Sequence, residues 1–285
     1  MLELVIYGRA DFREGHRAEQ LLDYLNRQTD FKPNKFDWGE PTRQPFDESH
    51  MGTALDIILN EVGNRENPEN QYGEILFKKK KPDQYFLIEW SRRKYYPFSR
   101  SVYAVDRKYI QNSDGLPKWI EFSIPLLHIH DAYFACMGYE EEMNEQNSLQ
   151  WDDTGTGKIA TGYVGTKLHE NIPGIYWCNY FNAFYIGWLG EAKFNALPCV
   201  IKRKVGSGIL FTIAEKPEDW STPETRVRKK AIYQQLGKEA FFIAEEYKEA
   251  AMNAWRAGKI EEPMNYLYKR KVPDFPFWSM PVNGL

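Results

Sequence analysis

The sequence lacks the features that would assign it to the membrane or to an oxidising compartment. Its 285 residues include three cysteines, Cys136, Cys178 and Cys199, in no paired spacing. We therefore expect buried, reduced thiols and no disulfide framework. No apolar run is nearly as long as a membrane-spanning helix, which needs about 20 residues. Residues 1–7 have the pattern of a strand and not that of a secretory leader. The sequence therefore predicts a cytoplasmic protein without a membrane partner.

A basic excess is also missing. The chain has 37 Lys and Arg against 40 Asp and Glu, which gives a formal net charge of −3. Proteins that bind nucleic acid generally obtain much of their affinity by neutralising phosphates with clustered cations. The short basic runs are spread along the chain and are typical of solvated strand ends and helix faces. We therefore expect no nucleic-acid partner.

Catalytic motifs are absent as well. The chain has no Gly-x-Ser-x-Gly sequence, and no cysteine lies in a nucleophile signature. Residues 152–159 resemble a phosphate-binding loop, but Asp152 occupies the first glycine position and Ile159 the hydroxyl position. These absences favour a protein that is not an enzyme and that needs no cofactor and no metal.

One local group of possible metal ligands remains, namely His128, His130 and Asp131. On a strand the two histidines would share a face and contact one ion. On the helix predicted for this segment they point about 200° apart. Core or helix-start histidines are the ordinary interpretation, and a metal-dependent hydrolase that uses His128 and His130 is the alternative.

The composition and the periodicity together predict the fold class. Hydrophobic residues make up 42% of the chain and aromatic residues 15%, enough for a sizeable core. Helical spacing predicts helices, and short aromatic-rich runs predict strands, in both halves of the chain. The predicted helices are 13–28, 51–62, 126–137, 191–196, 224–236 and 238–256. The predicted strands are 2–7, 73–79, 85–91, 99–106, 119–123, 174–181, 183–189 and 209–214. Without regular β–α alternation, this pattern indicates an α+β fold of mixed helices and antiparallel sheets.

The domain organisation follows from one change in composition. Residues 138–157 are polar and acidic, and this composition predicts a loop. We therefore predict one compact unit over 1–285, with possible sub-halves 1–150 and 158–285 joined by this acidic loop. Two similar layers in one compact unit are an arrangement that these halves allow.

The charge pattern supplies the candidate binding surface. From Asp131 to Gly157 the chain contains no Lys or Arg but has seven acids, and Tyr139 and Trp151 lie among them. A solvated acidic loop is the ordinary interpretation. The functional interpretation is a patch that meets a basic partner, in which charge speeds association and rings anchor it. The candidate partner-binding residues are Glu140, Glu141, Glu142, Glu145, Trp151, Asp152 and Asp153.

The most distinctive segment is Ile-Pro-Gly-Ile-Tyr-Trp-Cys-Asn-Tyr-Phe at 172–181. It resembles the Pro-Gly-x-Tyr-Trp-x-Asn-Tyr-Phe signature of the bacterial type VI secretion immunity proteins and of the related immunity protein 52 family. The resemblance implies a protein that neutralises a cognate toxin by direct binding. Because the segment is apolar on both sides of a strand, we expect it to form core and not contact surface. The motif residues are Gly174, Tyr176, Trp177, Asn179, Tyr180 and Phe181.

A structural or adaptor protein is a further alternative. The last 25 residues are rich in proline and contain Phe275, Phe277 and Trp278. Such a tail packs back on the body of the protein or binds a partner.

Overall fold

The computed structural model describes residues 1–60, 72–91, 99–153, 158–166, 168, 171–263 and 266. The predicted α+β class with antiparallel sheets is confirmed. The helices are α1 (Gly15–Asn26), α2 (Met51–Asn60), α3 (Arg107–Ile110), α4 (Gly115–Ile129), α5 (Glu140–Asn147), α6 (Ala183–Leu189), α7 (Glu191–Asn195), α8 (Pro223–Leu236) and α9 (Ala244–Arg256). None of the helices in the described part of the chain is both long and apolar enough to cross a bilayer.

Twelve strands form one large and one small sheet within the described ranges. They are β1 (Leu2–Gly8), β2 (Lys35–Asp37), β3 (Gln44–Pro45), β4 (Tyr72–Lys80), β5 (Asp83–Ser91), β6 (Ser99–Val105), β7 (Ala132–Tyr139), β8 (Ser148–Asp153), β9 (Lys158–Tyr163), β10 (Cys178–Phe181), β11 (Ile201–Val205) and β12 (Gly208–Thr212). The large sheet has ten strands in the order β11-β12-β10-β7-β1-β6-β5-β4-β2-β3, and each neighbouring pair is antiparallel. Strands β8 and β9 form the small sheet.

The chain divides into two compact units. Unit 1 comprises Met1–Tyr139, Cys178–Trp188 and Ile201–Thr212, and unit 2 comprises Glu140–Trp177, Leu189–Val200 and Ile213–Leu285. This division differs from the predicted halves 1–150 and 158–285. Strands β10, β11 and β12 come from the second half of the sequence, yet they continue the large sheet beside β7.

Aromatic side chains form much of the core of unit 1. The ring of Trp119 on α4 lies 5.1 Å from that of Phe31 and 5.2 Å from that of Phe122. Phe122 also stacks on Phe86 of β5 at 5.7 Å, and Phe86 meets Tyr103 of β6 at 5.1 Å. Helix α4 is thereby fixed against the sheet, since such ring pairs stabilise beyond the area they bury.

Unit 2 has its own core around the small sheet. One face of β8 and β9 packs against the start of α9, where apolar side chains recur at helical spacing. The buried members of this cluster are Leu149, Trp151, Val164, Phe242, Ala244, Tyr247 and Ala251. Helix α8 begins at Pro223 after Thr222, whose hydroxyl accepts a hydrogen bond from the backbone N–H of Thr225.

The predicted strand 119–123 and the predicted helix 126–137 are wrong. Residues 119–123 lie within α4, which continues through Pro125 and ends at Ile129. Proline removes one helical hydrogen bond, that to the carbonyl of Glu121, whose residue lies on the exposed side of the helix. Residues 132–139 form β7, which is buried along its whole length between β1 and β10. In a strand that is buried on both faces, polar and apolar residues do not alternate. The continuous apolar run was therefore mistaken for a helix.

The predicted acidic loop 138–157 is also wrong over the described residues to 153. Three acids in the first turn of α5 favour a helix because they interact well with its N-terminal dipole. Met143, Gln146 and Asn147 are buried at helical spacing and hold α5 in unit 2. Strand β8 follows directly. Only residues 154–157 of the predicted loop lie outside the described residues.

Three predictions in the second half are corrected in extent or type. Residues 174–181 are all buried, but only Cys178–Phe181 form a strand. The segment predicted as its partner strand, 183–189, is helix α6, and β10 pairs with β7 and β12. The predicted helix 238–256 is interrupted by Phe241–Ile243, so that α9 begins at Ala244. The aromatic tail beyond residue 266 lies outside the described residues.

Candidate functional surfaces

The structure places the predicted acidic residues in unlike surroundings. Glu140, Glu141 and Glu145 are exposed on α5, and Asp152 on β8 is half-buried. Asp153 ends β8, and its side chain lies outside the described part of the structure. The two remaining candidates, Glu142 and Trp151, are buried. The seven residues therefore do not form a single exposed patch.

Trp151 belongs to the core of unit 2. Its side chain is 7% exposed and packs in the cluster that includes Leu149, Phe242 and Tyr247. The alternation of β8 explains this position, since Leu149 and Trp151 point to the same face of the strand. Its assignment as an anchor for a partner is corrected accordingly.

Glu142 is the buried acid of α5, and neither of its carboxylate oxygens has a hydrogen-bond partner within the described residues. Burial raises the pKa of Glu142 to about 7, while the charge of Lys229 and the backbone N–H of Trp177 act in the opposite direction. Burial lowers the pKa of Lys229, against the attraction of Glu142. The ammonium of Lys229 also donates a hydrogen bond of 3.3 Å to Oε1 of Gln146. Glu142 is therefore an internal group that interacts electrostatically with Lys229, and it is not part of an exposed surface.

Glu145 is exposed, but its surroundings are not purely acidic. Its carboxylate lies 3.7 Å from the guanidinium of Arg226 on α8. The ammonium of Lys248 on α9 donates a hydrogen bond of 2.6 Å to the backbone carbonyl of Glu145. Cations from distant parts of the chain therefore neutralise part of the acidic run.

Unit 2 contains a cleft that the sequence reasoning missed. Its volume is about 380 Å³, within the range of ligand-binding pockets. It is lined by Glu145, Gln146, Trp220, Arg226, Lys229, Lys230, Tyr233, Gln234, Lys238, Ile243, Ala244 and Glu245. The sequence contained one signal of this cleft. Residues 226, 229, 230 and 233 are spaced so that their side chains share one face of a helix. The lining offers aromatic rings and hydrogen-bond donors, with charges of both signs.

The substitution Glu142→Gln is expected to remove a pH dependence of stability. Because the pKa of Glu142 in the folded protein is about 7 and its ordinary value is 4.5, the folded state binds more protons between these limits. The free energy of unfolding then falls as the pH rises through this range, by roughly 3 kcal/mol in the wild type. Urea unfolding at several pH values measures this slope. Glu145→Gln is the exposed control, and an unchanged slope in Glu142→Gln contradicts the assignment.

The six motif residues are buried, as expected for a core segment. Gly174, Tyr176 and Trp177 belong to unit 2, and Asn179, Tyr180 and Phe181 belong to unit 1.

Specific contacts explain part of the motif. The indole N–H of Trp177 donates a hydrogen bond of 3.1 Å to the carbonyl of Ala214. The hydroxyl of Tyr176 donates to Oδ1 of Asn147. Gly174 has a φ of +153°, and a Cβ at that position would lie 2.9 Å from Nε2 of Gln146. A side chain at 174 is therefore excluded by the backbone and by its neighbour.

The two histidines of the alternative metal site lie in different surroundings. His128 is exposed in the last turn of α4, where it lies beside Gly206. His130 is fully buried, and a hydrogen bond of 2.6 Å joins its Nε2 to the hydroxyl of Tyr103. Burial lowers the pKa of His130 to about 3, so the ring is neutral. Among the residues that the structure describes, no group of three or more His, Cys, Asp or Glu is placed to hold a metal ion.

Comparison with known proteins yields a likeness of fold. The chain matches no protein-family model and no curated protein. Among solved structures it is similar to the Pseudomonas aeruginosa T6SS protein PA0821, with a TM-score of 0.51 and 13% sequence identity. The match covers 96% of this chain and 89% of the other. At this level of identity the likeness shows a shared fold.

Proposed function

We propose that this chain is an immunity protein associated with type VI secretion, which neutralises a cognate toxin by binding it. The observation that carries the proposal is the fold shared with a T6SS protein over 96% of the chain. The motif at 172–181 adds the resemblance to immunity proteins. Its burial agrees with a role in forming the body that presents the binding surface.

Two buried ionisable groups lie in surroundings that account for their pKa shifts without a catalytic role. His130 shares a hydrogen bond with Tyr103, and Glu142 lies beside Lys229. Burial is the largest cause of both pKa shifts. We propose that inhibition consists of covering the toxin, with no bond made or broken.

Co-expression tests this proposal directly. The product of the neighbouring toxin gene is expected to arrest growth alone and to be tolerated when this chain is present. The two purified proteins are expected to form a one-to-one complex in size-exclusion chromatography. A functional toxin that neither binds this chain nor is neutralised by it would contradict the proposal.

The double substitution Glu140→Lys/Glu141→Lys is expected to slow association with the toxin. Both side chains are exposed in the first turn of α5, and exposed charges at an interface act mainly on the association rate. We expect a decrease of roughly tenfold at low salt and a weaker salt dependence. Stopped-flow or surface plasmon resonance measurements provide the rate.

A matched control separates the position of the charges from the net charge. Glu19→Lys/Glu249→Lys makes the same change in charge at exposed sites on α1 and α9. Equal association rates for the two double variants would exclude Glu140 and Glu141 from the contact surface.

A further inference from the structure

The cleft of unit 2 is built from three helices. Residues 226, 229, 230 and 233 line it from one face of α8, Glu145 and Gln146 line it from α5, and residues 243–245 line it from the start of α9. These residues all belong to unit 2, so the cleft forms within one compact unit. Its volume of about 380 Å³ suits a small organic molecule.

Positive charge is in excess in this lining. Among the residues that the structure describes, the lining contains four cations, Arg226, Lys229, Lys230 and Lys238, and two acids, Glu145 and Glu245. The cations therefore outnumber the acids by two. A concave site of this kind concentrates the field of its charges, which attracts an anionic ligand and repels a cationic one.

Lys229 is held in the wall of the cleft by a buried amide. Its ammonium donates a hydrogen bond of 3.3 Å to Oε1 of Gln146 and lies 5.9 Å from the centroid of the Tyr176 ring. Gln146 is 7% exposed, and its Nε2 donates to the carbonyls of Phe242 at 3.1 Å and Pro173 at 3.4 Å. An ammonium has three N–H donors, and the bond to Gln146 uses one of them. Because the ammonium is already ordered, it loses little entropy when it binds an anion.

Acids reduce the positive charge of the cleft but do not reverse it. The guanidinium of Arg226 lies 3.7 Å from the carboxylate of Glu145, and both side chains are more than half exposed. Lys238 donates a hydrogen bond to Glu246. Exposed ion pairs of this kind are weak, so an anionic ligand competes with them. Glu142 also acts on Lys229, but at neutral pH it carries only part of a charge, because burial raises its pKa to about 7.

Aromatic side chains give the cleft a second kind of surface. Trp220 and Tyr233 line it together with the apolar side chain of Ile243. Tyr233 is fixed, since its hydroxyl accepts a hydrogen bond of 3.0 Å from the backbone N–H of Ile175 and its ring meets that of Phe241 at 5.1 Å. A flat ring packs well against such side chains. The lining therefore fits a ligand that combines a ring with an anionic group.

We propose that the cleft of unit 2 binds a small organic anion. The carboxylate or phosphate group of the ligand contacts Lys229 and Lys230, and its ring packs against Trp220 and Tyr233. The site goes beyond the proposed function and is independent of it, because a ligand of this class binds unit 2 whether or not a toxin is present. A bound ligand also stabilises the folded chain by mass action.

Calorimetric titration of the full chain tests the class of ligand with three probes of similar size, phenyl phosphate, benzoate and benzylamine. At least one of the two anions is expected to bind roughly tenfold more tightly than benzylamine, whose ammonium meets a positive lining. The tighter of the two anions distinguishes a phosphate ligand from a carboxylate ligand. Failure of both anions to bind, or equal binding of benzylamine, would overturn the proposal and leave the proposed function standing.

A double variant tests the location of the site. Arg226→Gln/Lys230→Gln removes two exposed cations of the lining and retains Lys229. The anionic probe is expected to bind it roughly tenfold more weakly. Lys193→Gln/Lys259→Gln removes the same charge at exposed positions of unit 2 away from the lining and is expected to bind like the wild type. Equal affinity for the two double variants means that the anion binds elsewhere, and it overturns the proposal.

Lys229→Gln tests the central cation. The anionic probe is expected to raise the urea midpoint of the wild type with increasing concentration and to leave the midpoint of the folded variant nearly unchanged. An increase equal to that of the wild type contradicts the role of Lys229. Because this substitution also removes the charge that acts on Glu142, the variant might be unable to fold. In that event the comparison of the two double variants decides.

Discussion

Replacing Trp177 by alanine is expected to lower the free energy of unfolding by about 3–5 kcal/mol. Trp177 is 1% exposed, so the substitution leaves a large cavity in the core. It also removes the donor to the carbonyl of Ala214, which lies 3.1 Å from the indole nitrogen. A buried carbonyl without a partner adds to the cost. Urea unfolding followed by circular dichroism measures the change.

Trp177→Phe separates the two contributions. It keeps most of the ring volume but cannot donate to Ala214, so we expect a smaller loss, about 1–3 kcal/mol. Under conditions in which each variant is fully folded, the affinity for the toxin is expected to stay within about twofold of the wild type, because Trp177 is buried and a substitution far from the contact surface acts weakly on binding. Full stability with lost binding would place the motif at the interface.

The sequence predicted the elements whose periodicity is set locally. Residues 73–79, 85–91 and 99–106 alternate or carry aromatic residues between turn signals, and they form β4, β5 and β6 nearly as expected. The spacing of Ala18, Leu21, Leu22 and Leu25 predicted α1, and these four residues are its buried face. In α1 and β5 one face is buried and the other is not, so the period of the apolar residues identified the element.

One of the errors falls where both faces of an element are buried. Residues 132–139 are apolar throughout because β7 lies in the middle of the sheet, between β1 and β10. Without alternation, neither a strand nor a helix is distinguished by period. Helix α4 ends just before Asp131, whose backbone is left-handed with a φ of +45°. The residue type at this position did not predict that the helix ends there.

The candidate surface was harder to predict because charge partners are distant in sequence. The acidic run from 140 to 153 has no internal cation, yet Arg226 lies 3.7 Å from Glu145, and Lys229 lies beside Glu142. Such contacts depend on how α8 packs against α5. The number of charges in a short segment gives no information about that packing.

The substitution His130→Gln is expected to remove a large acid-dependent loss of stability. His130 is fully buried and neutral, and burial lowers its pKa from 6.5 to about 3. Below pH 6.5 the unfolded chain binds a proton that the folded protein does not, so the free energy of unfolding falls as the pH falls. The loss is about 1.4 kcal/mol per pH unit and reaches about 5 kcal/mol near pH 3.

A comparison between variants separates the contribution of His130 to the pH dependence of the unfolding free energy from that of Glu142. The contribution of Glu142 has the opposite sign over part of the pH range. Glutamine offers a hydrogen-bonding side chain to the hydroxyl of Tyr103 and does not titrate, so the His130→Gln variant is expected to resist acid better than the wild type. His128→Gln removes the exposed imidazole on the same helix and is expected to retain the acid-dependent loss. Unfolding curves that stay parallel for His130→Gln and the wild type would mean that His130 is protonated without unfolding. Its contact with Tyr103 would then be open to solvent, and His130 would return as a candidate for chemistry.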